Sequence, residues 1–207
     1  MNTMNIVKYV SKTISILFSP LLAPAYGMLI ALNFSEMYPL PVAVKFRAVA
    51  VVALLTGVIP LMIIYGLSML SLVKDASLFD RKDRTVPYAA AICLYVAAAI
   101  YIFMAGAPRW MILFMLGGIA GLLIVALVNR RWKISAHAAG MGGLVALGAV
   151  LAMRWPMIYG METMLTVVIM AAGLTCTARL IMRCHTPLQV CAGFAAGFLP
   201  VALLMLV

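Results

Sequence analysis

Both histidines of this chain lie in short polar stretches between long apolar runs. His185 follows Arg179 after five intervening residues, and Gln189 follows His185 after three more. An arginine presents a planar fork of N–H donors that matches phosphate oxygens. A neutral imidazole can attack phosphorus and carry the phosphoryl group as a phosphohistidine. A side chain four positions after His185, on a helix starting near Pro187, can turn back and hold the other ring nitrogen. Proline suits that first turn. The same residues fit a plainer reading, in which Arg179 and Arg183 snorkel from a helix end and His185 rests at the membrane interface.

The second stretch runs from Lys133 through Ser135 and His137 to Gly140 and Gly143. Ser135 can cap a helix, which aims its hydroxyl and nearby backbone N–H groups at an anion. His137 then falls in the first helical turn, and the glycines admit a neighbouring helix. The plainer reading is a capped helix with a histidine at its boundary. The first stretch holds Lys74, then Arg81 after six residues, then Lys82, Asp83, Arg84 and Pro87. Alone, its alternating bases and acids read first as a solvated charge cluster.

These stretches need elements to hold them, and composition says which kind. The chain has 207 residues, of which 67% are hydrophobic and 10% charged, with a mean hydropathy of +1.17. A soluble domain carries about 25% charged residues. The reading is an all-α, polytopic transmembrane helix bundle of six to seven spans, one integral membrane domain over 1–207. A span needs about 20 apolar residues. Seven runs qualify: 13–34, 44–72, 87–105, 109–128, 135–153, 160–182 and 185–207. The first contains Pro20 and Pro24 and should kink or break. It follows Lys8 and Lys12 as a signal peptide would, but continues to Phe34, so it reads as a retained span. The second is long enough to tilt or to extend beyond the bilayer. Single crossings place all three polar stretches on one membrane face.

The net charge is +10. With the bases flanking apolar runs, the partners are the bilayer and an anionic, phosphorylated lipid rather than nucleic acid. The four cysteines form no C-x-x-C pair, so neither a disulfide framework nor a zinc site is expected. None of the five acids lies deep in a run, which argues against a small ion or proton transporter.

In this order, the three stretches resemble the signature of the type 2 phosphatidic acid phosphatase family. That family carries Lys-x6-Arg-Pro, then Pro-Ser-Gly-His, then Ser-Arg-x5-His-x3-Asp. Here the matching residues are Lys74 and Arg81, then Ile134, Ser135, Ala136 and His137, then Ala178, Arg179, His185 and Gln189. The small-residue segment from Ala192 to Gly197 is similar to the one that follows the family's third motif. The resemblance covers about residues 74–207. It implies a metal-free lipid phosphatase with no cofactor, acting on a phospholipid phosphate monoester or a polyprenyl pyrophosphate. In it His185 is the nucleophile, and His137 protonates the leaving alcohol. Lys74, Arg81, Ser135 and Arg179 bind the phosphoryl oxygens, with Arg84 an alternative first-motif arginine, since Pro87 follows it closely. Gln189 stands where the family has Asp. It can accept the ring N–H but carries no charge. A non-catalytic member that binds lipid phosphate is the alternative, with a small transporter behind it.

The motif face carries Lys8, Lys12, Lys74, Arg81, Lys82, Arg84, Arg130, Arg131, Lys133, Arg179 and Arg183, against Lys45, Arg47, Arg109 and Arg154 opposite. The positive-inside bias puts the motifs on the cytoplasmic side of a multi-pass cell-membrane protein, such as one of a bacterial inner membrane.

Overall fold

The computed structural model describes residues 3–73 and 80–207. Among them there are helices and turns and no strand. Six helical stretches are long and apolar enough to cross a membrane: Val42–Met69, Lys82–Met104, Arg109–Asn129, Ala136–Arg154, Met161–Ile181 and Pro187–Leu206. Their ends fall within a few residues of those read from the sequence, except at the start of the chain and ahead of Pro87.

The expected first span is divided. Helix α1 (Thr3–Leu17) stops, a turn follows, and α2 (Ala23–Asn33) begins again. Pro20 and Pro24 each lack an N–H to donate, so one continuous helix cannot pass through both. Neither piece alone is long enough to span. α2 nevertheless packs inside the bundle, against α7 and the next helix in the chain. The Tyr95 hydroxyl fixes the break by donating to the Pro20 carbonyl at 3.1 Å.

The next crossing is one 28-residue unit, α3 (Val42–Ala53), a π turn (Leu54–Val58) and α4 (Ile59–Met69). Pro60 causes the widened turn. Its ring collides with a carbonyl four residues back and supplies no N–H, so the helix loosens there. The Ile59 N–H reaches back to the Leu54 carbonyl instead. A short 3₁₀ turn (Lys82–Arg84) leads into α5 (Thr85–Met104). Then come α6 (Arg109–Asn129), α7 (Ala136–Arg154), α8 (Met161–Ile181) and α9 (Pro187–Leu206).

α7 and α9 form the tightest pair, and α6 packs on α9 beside them. In lipid no hydrophobic force drives helices together, so close packing must. The contacts are backbone against backbone. A Cβ added at Gly197 would collide with the Ala139 carbonyl, one at Gly193 with Ser135 O, and one at Gly142 with Phe194 O. Gly140, expected at this kind of interface, instead faces Pro20 and Ala23. The core below is large and apolar, with Met28, Ile102, Met111, Leu147 and Leu151 almost wholly enclosed.

Candidate functional site

The three polar stretches meet at one end of the bundle and are tied to one another. The Asn129 side-chain N–H₂ donates to the Arg81 carbonyl at 2.9 Å, and Arg81 Nη1 donates to the Arg130 carbonyl at 2.6 Å. Arg84 Nη1 donates to the Ile134 carbonyl at 3.4 Å. The Ser135 N–H donates to the Gln189 carbonyl at 3.3 Å. The first stretch is thus bonded to the second, and the second to the third.

Local geometry sets each side chain. Ser135 caps α7, accepting the Ala138 N–H at 3.3 Å, and is fully buried. His137 is the second residue of that helix. Arg179 lies in the last turn of α8. The chain then reverses sharply. Arg183 adopts a left-handed φ of 50°, the Arg183 N–H reaches Leu180 O, and the Cys184 N–H reaches Arg179 O. This closing loop carries the chain from Arg179 to His185 in five residues. α9 opens on Thr186, which accepts the Gln189 N–H while Gln189 Oε1 accepts the Thr186 N–H at 3.2 Å. That reciprocal pair is a capping box.

Gln189 therefore has two tasks. Its Oε1 also lies 3.3 Å from His185 Nδ1. The Thr186 N–H can only donate, so the atom it meets is the amide oxygen, which can only accept. His185 Nδ1 then carries the proton, and Nε2 keeps its lone pair. His185 is 8% exposed. Burial pushes its pKa down to about 4, helped by the positive charges of Arg179, Arg84 and Lys133, with Gln189 opposing the shift. The ring is neutral at pH 7. Lys133 is also held below its usual value, first by burial and then by Arg84.

His137 meets a different group. Its Nε2 lies 3.0 Å from the Ser15 carbonyl of α1. A carbonyl only accepts, so Nε2 carries the proton there. The charges of Arg179 and Arg84 and the His185 ring all act on His137. The Nε atom of Arg179 is buried without a partner among the described residues.

The structure thus brings together Arg84, Ser135, His137, Arg179, His185 and Gln189. Of the two first-motif arginines, Arg84 is buried beside the histidines, whereas Arg81 braces the turn after α6. Lys74 lies outside the described residues. Lys133 joins the cluster although it was not among the expected phosphate ligands. Its position two residues before the cap was the available signal. Ser15 was not foreseen, because a backbone acceptor leaves no trace in side-chain identity. Among the described residues no group of acids, cysteines and histidines is arranged to hold a metal ion.

The opposite end has another character. Lys45 is bound to Asn33 Oδ1 and Tyr38 O, the Trp110 indole N–H donates to Glu36 at 2.7 Å, and Arg154 donates to the Met205 carbonyl. These groups fasten helix ends to one another. Comparison with protein-family models, with curated proteins and with solved structures gives no match for this chain.

Proposed function

We propose that this protein is a membrane lipid phosphatase that works without a metal, through a phosphohistidine. One observation carries the reading. A neutral, oriented histidine stands among Arg84, Lys133 and Arg179, next to a second histidine, at one end of a membrane bundle. A lipid phosphate monoester presents its charge at that depth and its tail below.

In the proposed reaction the phosphate dianion enters among the cations, which offset its charge. His185 Nε2 attacks phosphorus as the bond to the lipid oxygen breaks. His137, protonated once the dianion lies beside it, gives the leaving oxygen a proton from Nδ1 while Ser15 O holds Nε2–H. The free lipid alcohol departs. Water then gives a proton to His137 Nδ1 and attacks phosphorus, the bond from phosphorus to His185 Nε2 breaks, phosphate leaves, and both histidines are restored. Gln189 fixes the attacking tautomer but adds no charge.

The test is phosphate release from a panel of lipid phosphates by purified protein in a chelating buffer. His185→Ala should abolish it, and acid-labile, base-stable labelling from ³²P-phosphatidic acid should vanish with it. Equal release by both proteins removes the mechanism. The neutrality of Gln189 favours a second reading, a lipid-phosphate binder that turns nothing over. Under that reading both proteins are inert while wild type still retains the lipid.

A further inference from the structure

Helix α1 is left over once the chain has passed through the bundle. Ser15, near its C-terminal end, meets His137 at one end of the bundle. Phe34, just after α2, lies against Gly160 at the other. The chain therefore descends between those two points, and the part of α1 before Ser15 has no thickness left to cross. Two bonds fasten its last turn. The Ser15 carbonyl meets His137 Nε2, and the Leu17 carbonyl accepts the Tyr26 hydroxyl at 2.8 Å. α1 also packs on α8.

The side that α1 turns inward is its polar one. Ser11 and Ser15, one turn apart, are both buried. At about 100° per residue, Ile6, Tyr9, Val10, Ile16 and Leu17 fall on the opposite side, and all five are exposed. Thr13 lies in the middle of that apolar arc. Its hydroxyl donates to the Tyr9 carbonyl at 3.1 Å, so it presents no free donor to an apolar medium. Lys8 and Lys12 are exposed and form one border between the two sides. No acid occurs anywhere in α1.

Three surroundings could meet the arc. Water would leave a contiguous apolar surface exposed. A second copy would bring two lysine borders together with no acid on either helix to pair them. A bilayer surface supplies apolar tails for the arc and phosphate oxygens for the lysines. It also lies at the right level, since His137 is the second residue of a spanning helix. We infer that α1 is an interfacial helix, laid on the anionic surface of the bilayer beside the charged end of the bundle. Its serine side docks on the protein, its apolar arc enters the acyl chains, and Lys8 and Lys12 sit among the headgroups. The partner is a lipid surface of negative charge, held apart from any molecule in the histidine site.

The experiment puts single spin labels on the full-length protein, its native cysteines replaced by alanine. It is measured in nanodiscs of pure phosphatidylcholine and in others rich in phosphatidylglycerol. Labels at Val10→Cys and Leu17→Cys should collide several-fold more often with oxygen, which concentrates in lipid, than with a water-soluble nickel chelate. A label at Lys8→Cys should show the reverse. Phosphatidylglycerol should strengthen the contrast several-fold, and Lys8→Glu combined with Lys12→Glu should weaken it at Val10→Cys in the same discs. Ile6→Cys reads the same arc should one label disturb the fold. Nickel contact above oxygen contact at these arc positions in the anionic discs overturns the docking. Dipolar broadening between two labelled copies at Val10→Cys overturns it in favour of self-association. A contrast unmoved by phosphatidylglycerol and by the double substitution overturns the role of the lysines. None of these readings depends on phosphate release.

Discussion

His185 and His137 have the same side chain and opposite hydrogen-bond settings. One has Nδ1 fixed by Gln189 Oε1, the other Nε2 fixed by Ser15 O. The nitrogens left free are therefore different atoms, which in the proposed reaction would separate attack from proton donation. The low pKa of His185 also has a consequence for stability. In the unfolded chain a histidine titrates near 6.5, and in the fold this one titrates near 4. Between those values the unfolded chain binds more protons, so stability declines as pH falls through that window and is fully present above it. His185→Gln should flatten this part of a stability–pH curve, measured by thermal unfolding in detergent. Gln189→Asp places an anion against Nδ1–H and should raise the His185 pKa. The acid limb of phosphate release then moves to higher pH, and an unmoved limb would mean that residue 189 serves only the cap of α9.

At the scale of elements, the close contact of α7 with α9 holds the cap of one helix against the first turn of the other. Gly197→Leu drives a side chain into the Ala139 carbonyl and should destabilise by about 3 kcal/mol. A fall in the detergent melting temperature with loss of activity checks it. The reversal after α8 gives a change of opposite sign. Arg183 is exposed and sits at φ 50°, where a glycine is unstrained. Arg183→Gly should raise the melting temperature, reflecting on the order of 1 kcal/mol. The element pattern was largely legible in the sequence, since runs of apolar residues and the spacing of Pro187 and Ser135 state it locally. The divided first span was signalled by Pro20 and Pro24. Which arginine turns inward was not legible: the Arg81 and Arg84 guanidinium groups differ in destination because the Arg130 and Ile134 carbonyls, some fifty residues away, accept from one each.

For the whole molecule, the helix ends at Met69 and Lys82, at Asn129 and Ala136, and at Ile181 and Pro187 share one face, and those at Met104 and Arg109 and at Arg154 and Met161 share the other. A single cysteine at Lys82 and another at Arg131 should react with an impermeant maleimide from the same side, and one at Arg109 or Tyr159 from the opposite side. The excess of bases on its face predicts that the first pair reacts from the cytoplasmic side. Modification of Lys82→Cys from outside would reverse the orientation while leaving the shared face intact.

The 28-residue crossing Val42–Met69 rises about 42 Å at 1.5 Å per residue, against a hydrocarbon layer of about 30 Å. It leans strongly or protrudes, and its C-terminal end feeds the segment that delivers Arg84. In thin membranes the helix must lie flatter; in thicker ones it stands more upright. Turnover should vary with lipid chain length even at constant substrate, and deleting one turn beside Pro60 should shift the preferred thickness downward.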